Sequence, residues 1–224
     1  MKILNLRKLG PGLLFAGAAI GVSHLVQSTR AGADFGFGLL WALIISVVLK
    51  YPFFQFGSRF ALATKMSLLD GYYKLGKTYL LMFFIISIGT IFTIQTAVTI
   101  VTASLATTIL GYSLNLVMIS TLIILLCFAI LWVGNYKFLD ILIKIIILAL
   151  TVSTFIALLF ALTKNNDSFD FYQVFPYETS IIFLAALIGW MPAPLDISVW
   201  QSLWILEKVK TNSISFDEGI FDFN

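Results

Sequence analysis

Two polar interruptions within apolar runs hold the side chains of this sequence that are best suited to chemistry. The first lies in residues 12–41, where Gly21, Ser23 and His24 interrupt a run that is long enough to cross a bilayer. Polar groups at membrane depth are tolerated only where they face protein or water, and they typically mark a substrate or ion site. An imidazole there could bind a transition metal or relay a proton. The alternative is that His24 is a hydrogen-bonded packing residue.

The second interruption lies in the run SIIFLAALIGWMPAPLDISVWQSLW. Pro192 and Pro194 have no N–H, so the helical hydrogen bonds to the carbonyls of Ile188 and Trp190 cannot form. With Gly189 beside them, these residues predict a broken helix whose free carbonyl oxygens could bind a cation. The alternative is a simple proline kink, in which water or neighbouring groups satisfy the same carbonyls.

Two side chains close to the second interruption could take part in such a site. The thioether of Met191 favours soft transition metals over calcium or magnesium, and its position between Gly189 and Pro192 supports that role. Asp196 is the one carboxylate well inside a predicted span, where it must be protonated, paired or hydrated. It could act as a ligand or proton carrier, or it could point away toward the cytoplasmic side.

The composition excludes several classes of protein. With 60% hydrophobic and 11% charged residues and a mean hydropathy of +1.00, the chain has too little polar surface for a soluble domain and must lie in a lipid bilayer. The net charge of +3 comes from thinly spread basic residues, so no nucleic-acid partner is expected. The single cysteine, Cys127, excludes an internal disulfide, and no HExxH, GxSxG or P-loop spacing predicts an enzyme.

Six segments are long and apolar enough to span a membrane, which needs about 20 residues each. Lys and Arg are concentrated in alternate connectors on the side of the N-terminus, so both termini are predicted to be cytoplasmic. The basic start resembles a signal peptide, but its apolar stretch continues into a polar helix, so we expect no cleavage. Residues 206–224 are expected to be a cytoplasmic tail or the start of a further connector. The predicted spans are 12–29, 36–57, 78–106, 114–134, 138–162 and 179–205.

The first and sixth spans resemble each other. Residues 14–21, LFAGAAIG, align with residues 182–189, IFLAALIG, and the two breaks follow at the same place. Five intervening connections make the two spans opposite in direction. This is how an inverted-repeat transporter begins its two halves, with the binding site between the broken helices.

The third span contains threonines at every third position from 90 to 102, with Gln95 beside them. Because a three-residue step falls about 60° short of a helical turn, the stripe winds around the helix. The hydroxyls either bond to carbonyls one turn earlier in the same helix or line a hydrated path.

Three motifs resemble the natural-resistance-associated macrophage protein (NRAMP) family: GPGLL, the pattern AG-x-x-FG-x-GLLW, and the pair Met191-Pro192. The resemblance covers essentially the whole chain. It implies an all-α transmembrane protein with the leucine-transporter-type inverted-repeat fold of the APC superfamily, of which this chain reaches only the first repeat and the sixth helix. It also implies proton-coupled transport of divalent metal, either manganese or iron, as substrate, with no permanently bound cofactor.

The site residues implied by the resemblance depart from the family pattern. The family's first-span Asp-Pro-Gly-Asn, which supplies the Asp and Asn ligands, aligns with residues 21–24, so the carboxylate is missing and His24 takes the Asn position. In the sixth span the implied ligands are the Met191 thioether and the Ile188 carbonyl, while Ala193 replaces a histidine. The resemblance therefore implies a divergent metal site formed by Gly21, His24, Ile188 and Met191, with Asp196 or His24 in proton or ion coupling.

Two rival functions stay open. Loss of the anionic ligand leaves carbonyls and helix ends that could hold an amino-acid-like solute, and a half-length carrier could also be a non-transporting membrane fragment. Because the implied fold needs about ten core helices and only six are present, we expect a truncated transporter that is inactive without a missing C-terminal half. The richness in Lys, Ile, Asn and Phe suggests a bacterial plasma-membrane protein.

Overall fold

The computed structural model describes residues 10–21, 23–111, 115–134, 136–164, 171–175, 181–211 and 214–224, and every regular element within these ranges is helical. A π-helical turn, Ser23–Gln27, lies between the first two helices. The α-helices are α1 (Pro11–Ala19), α2 (Ser28–Phe35), α3 (Leu40–Thr64), α4 (Leu68–Leu75), α5 (Lys77–Leu110), α6 (Leu116–Val133), α7 (Tyr136–Lys164), α8 (Ile181–Trp190), α9 (Ile197–Thr211) and α10 (Phe216–Phe223).

Within the described ranges, four helices are individually long and apolar enough to span a membrane: α3, α5, α6 and most of α7. They correspond to the predicted second to fifth spans. The predicted first span is divided into α1 and the helical stretch His24–Phe35, which are bent by 47° and could together form a fifth span. The predicted sixth span is divided into α8 and α9. Six crossings and the leucine-transporter-type fold therefore stay predictions.

Much of the segment between the predicted second and third spans, residues 58–77, is helical. Residues 58–64 continue α3, in which Pro52 is tolerated, and residues 68–75 form α4. The helix ends where Lys65 adopts φ 57° and its N–H donates to the carbonyl of Ala61 at 3.0 Å. A left-handed residue of this kind is a common way to end a helix.

Helix α3 packs along α8 and α9 in a parallel sense. Ser46 contacts the main chain of Ile188 near the start of α3, and Ile205 packs against Ala61 and Leu62 near its end. Between them, Gly57 lies so close to Ser198 that a Cβ on the glycine would overlap the serine carbonyl.

Helix α1 runs antiparallel to the sixth predicted span. Gly10, before α1, lies beside Lys208 near the end of α9, and Ala19, at the end of α1, packs with Ala193 and Ile197 near the start of α9. Pro11 occupies the first turn, where its missing N–H has no helical partner to lose. The opposite directions of the two interrupted helices agree with the direction predicted from the five connections between them.

Helix α10 closes the beginning of α1. The Asp222 carboxylate accepts hydrogen bonds from the backbone N–H groups of Gly10 at 3.0 Å and Gly12 at 2.8 Å. These amides belong to the first turn of α1, where no helical acceptor exists for them. At its own start, α10 has a capping box formed by Ser215 and Glu218. Residues 216–223 are thus an ordered helix, while their role as tail or connector stays a prediction.

The chain forms two compact units: residues 1–68 with 140–224, and residues 69–139. In the second unit, the hydroxyls of Thr90, Thr93 and Thr102 each donate to a carbonyl three or four residues earlier in α5. The amide of Gln95 donates to the Thr99 hydroxyl at 3.2 Å. These bonds favour local satisfaction of the threonine stripe over a hydrated path.

Candidate functional site

The interruption between α8 and α9 turns backbone carbonyls out of the helical pattern. Helix α8 ends at Trp190 and α9 begins at Ile197, with Pro192 and Pro194 between them. The Met191–Pro192 peptide bond is cis. The chain is not helical between Trp190 and Ile197, and the Ile188 carbonyl accepts from side chains of another helix.

The Lys50 ammonium lies among these carbonyl oxygens. Its Nζ donates to the carbonyls of Ile188 at 2.6 Å, Gly189 at 2.9 Å, Met191 at 2.9 Å and Ala193 at 3.4 Å. An ammonium has three protons for these four acceptors, so the weakest contact, to Ala193, must be shared. The interruption of the sixth span therefore binds a cationic group supplied by α3.

Ser46 completes this carbonyl cluster, which we define as the main-chain oxygens of Ile188, Gly189, Met191 and Ala193. Its hydroxyl contacts the Met191 carbonyl at 2.6 Å and the Ile188 carbonyl at 3.2 Å, and the residue is only 3% exposed. Ser46 and Lys50 are four residues apart on α3, which places them on one face of the helix. One face of α3 thus supplies both side chains that bind the cluster.

Sequence reasoning missed Lys50. It lies well inside the predicted second span, in the run LIISVVLKYPFF, with no carboxylate near it in sequence. A lysine at this depth needs a partner, and backbone carbonyls freed by prolines in another span were available. The sequence therefore contained a signal for this interaction. Finding it required pairing Lys50 with the carbonyls that the two prolines leave without helical partners.

A groove of about 350 Å³ runs beside the cluster. Ser46 and Lys50 line it together with Ile188, and the remaining lining side chains are apolar or aromatic. Lys50 is half-buried, so the carbonyl cluster is not fully enclosed by the described structure.

The first interruption is bonded locally. The backbone N–H of His24 donates to the Gly21 carbonyl at 3.1 Å, and the imidazole hydrogen-bonds to the main chain of Ala19. Ser23 belongs to the π-helical turn, and Val22 lies outside the described residues. The contact of the imidazole with Ala19 is what the packing interpretation of His24 predicts.

The two interruptions lie next to each other. Ala19 forms a buried cluster with Ala193 and Ile197, and Phe15 and Phe54 pack beside it, with their rings 5.3 Å apart. The residues that end α1 are therefore neighbours of the carbonyl cluster. The two breaks are adjacent in the fold, as an inverted-repeat site requires.

The remaining predicted site residues occupy different environments. The Met191 side chain, 4% exposed, packs in an apolar cluster with Leu39 and Leu187, while its carbonyl faces Lys50. Asp196 is exposed in the turn before α9. Across the described ranges, no group of three or more His, Cys, Asp and Glu side chains could hold a metal. The metal and coupling roles of these residues stay predictions.

The glycine-rich motif after α2 supports the start of α3. Gly36 has φ 54°, and a Cβ on Gly38 would crowd Val174. The Val174 N–H donates to the Gly38 carbonyl at 2.9 Å, and the Trp41 indole N–H donates to the Val174 carbonyl at 2.8 Å. The motif thus binds residues 171–175 across the beginning of the helix that carries Ser46 and Lys50.

Residues 12–219 match the sequence model of the family described as natural resistance-associated macrophage protein-like. The chain belongs to this family. Because the match includes both interruptions and Lys50, the carbonyl cluster lies in the part of the chain that carries the family relationship. The NRAMP-like proteins are membrane transporters, and the long apolar helices agree with that class.

One curated relative is an uncharacterized protein of Pasteurella multocida (strain Pm70), 37% identical over 221 residues. The alignment covers 96% of this chain and 51% of that relative, so the chain spans about half of the relative's length. No solved structure matches the chain. The level of identity agrees with a divergent branch of the NRAMP-like family.

Proposed function

We propose that this chain forms part of a secondary active transporter of divalent metal ions of the manganese and iron type. The observation that carries the proposal is the adjacency of two antiparallel, interrupted helices, one of which already binds a cationic group through its backbone carbonyls. Broken helices that meet in this way are the sites at which such carriers bind ions.

The proposed metal position uses the predicted ligands: the carbonyls of Gly21 and Ile188, the Met191 thioether and the His24 imidazole. The Ile188 carbonyl must change partners, because it binds Lys50, whereas the imidazole can keep its bond to Ala19 through one ring nitrogen and bind a metal through the other. At an effective dielectric constant of about 20, a divalent ion 5 Å from an ammonium is repelled by roughly 7 kcal/mol. Metal binding at Ile188 therefore requires Lys50 to withdraw or to lose its proton.

The need for Lys50 to withdraw or to lose its proton gives a physical basis for coupling metal transport to protons. Protons are the proposed coupling ion, with His24 or Asp196 as carriers, and Lys50 adds a third group whose charge is linked to occupancy of the carbonyls. A proton leaving the ammonium would remove the repulsion when the metal arrives.

A second function in the same fold is transport of an amino-acid-like solute. The positive charge of Lys50 suits a carboxylate better than a divalent metal, and no group of three or more His, Cys, Asp and Glu side chains that could hold a metal was found among the described residues. Competition between metals and amino acids in one uptake assay separates the two functions.

The proposed active form contains a second half. Because the chain corresponds to about half of its relative, we propose that it works with further helices, in a bacterial plasma membrane with both termini cytoplasmic. The exposed apolar faces of α5 and α6 would then contact lipid or these further helices.

Uptake by the full-length transporter that carries these residues tests the metal site. We expect Met191→Ala or His24→Ala to reduce manganese or iron uptake at low metal concentration by at least about tenfold, since even outer-shell partners of metals contribute 10–100-fold. The assay uses radioactive manganese in proteoliposomes with iron, magnesium and amino acids as competitors.

Met82→Ala is the matched control, because Met82 is 54% exposed on α5 and should leave uptake unchanged. Unchanged uptake in both site variants means that the metal site is wrong. The 224-residue chain alone should give no uptake, and robust uptake by it would refute the need for a second half.

A further inference from the structure

The carbonyl cluster has the composition of a cation site rather than of a simple helix kink. Four main-chain oxygens converge on the Lys50 ammonium, and the Ser46 hydroxyl donates to two of these oxygens, those of Ile188 and Met191. We propose that this cluster is a binding site for a monovalent alkali cation in which the Lys50 ammonium is a tethered substitute for the free ion.

The ligand set indicates a monovalent ion. All four main-chain oxygens are neutral, and the groove beside them is lined by apolar and aromatic side chains apart from Ser46 and Lys50. Backbone carbonyls without carboxylates are the ligands that replace the hydration shell of potassium in channel filters. Divalent ions such as Ca²⁺ are usually bound with carboxylate ligands. A single positive charge matches the site, as the ammonium shows.

The carbonyls can accept a free ion once the ammonium is removed. Lysine is a compact charge on a flexible four-carbon stem, so its removal needs no change in the backbone of α3. A groove of about 350 Å³ lies beside the ammonium and leaves space next to the cluster. Removing the ammonium by substitution leaves buried carbonyls that need a new partner.

The test uses the purified full chain in detergent and needs no transport, so its failure would leave the proposed transport function standing. Lys50→Met and the milder Lys50→Gln shorten the side chain by one atom and remove its charge. Thermal unfolding is followed while sodium or potassium chloride replaces choline chloride at constant ionic strength.

We expect both variants to unfold at lower temperature than wild type in choline chloride and to recover saturably with sodium or potassium. The recovery should be roughly 3–6 °C when the cation reaches ten times its dissociation constant. Wild type should show no saturable shift, because its site is already filled. Lys74→Met, which removes an exposed lysine from α4, is the control and should behave as wild type.

Adding Ser46→Ala to Lys50→Met should weaken the recovery, because the carbonyls of Ile188 and Met191 lose the hydroxyl that donates to them. The proposal is overturned if neither variant responds to an alkali cation, or if wild type shows the same saturable response. Failure of both variants to fold in every salt also overturns it, since a free cation should replace the ammonium.

Discussion

Gly57→Ala is expected to lower the free energy of unfolding of the chain by about 1–3 kcal/mol, the usual cost of overpacking a tight interface. A Cβ at this position overlaps the main-chain carbonyl of Ser198, and a backbone atom cannot move aside as a flexible side chain can. Helices α3 and α9 must separate, and this also moves Lys50 away from the carbonyl cluster. The measurement is chemical or thermal unfolding of the purified chain in detergent.

Gly89→Ala is the matched control. Gly89 also lies within a long helix, but a Cβ there meets nothing within 4 Å. Alanine should be neutral or stabilise α5 by up to about 1 kcal/mol, because glycine is the poorer helix former. Equal effects of the two substitutions would show that the close approach of α3 to α9 does not contribute to stability.

Asp222→Ala is expected to destabilise the chain by about 1–2 kcal/mol at pH 4, as removal of a helix N-cap does. The substitution leaves the N–H groups of Gly10 and Gly12 without their acceptor at the start of α1. Hydrogen exchange at the Gly12 amide should become faster, because α10 no longer covers it. Asp217→Ala changes an exposed carboxylate of the same helix and should cost less than about 1 kcal/mol.

The effect of Asp222 should depend on pH in a defined direction. Burial raises the pKa of Asp222 above its ordinary value, although the bonds from Gly12 and Gly10 and the charges of Lys208 and Lys144 oppose the shift. The folded chain then binds more protons than the unfolded chain between the ordinary and the raised pKa, so stability falls as pH rises through that window. The difference between wild type and Asp222→Ala should therefore narrow as pH rises above 4. A difference that widens with pH would mean that the pKa is lowered.

The interruptions could be predicted because their causes are local. Pro192 and Pro194 remove N–H groups whatever surrounds them, so the sequence alone indicates a break and free carbonyls near Ile188. The opposite directions of α1 and α9 also followed from counting apolar runs. The end of α3 could not be predicted, because neither a proline nor a glycine stands beside Lys65 to indicate its left-handed conformation.

The partners across the fold could not be predicted from local pattern. Lys50 binds carbonyls more than 130 residues away in sequence, and nothing within its own helix indicates which groups those are. Asp222 and Gly12 are separated by 210 residues. His24 was chosen because it is the single histidine, yet its imidazole bonds to Ala19 within the same break. The charge at the carbonyl cluster therefore comes from a residue that sequence reasoning passed over.

Anomalous X-ray scattering from crystals grown with thallium(I), a heavy substitute for potassium, tests whether the carbonyl cluster is a cation site that Lys50 fills. In Lys50→Met, a thallium peak is expected within contact distance of the Ile188 and Met191 carbonyl oxygens, and wild type should have no peak there. A variant without a peak at the cluster, or a wild-type protein with one, would contradict the claim.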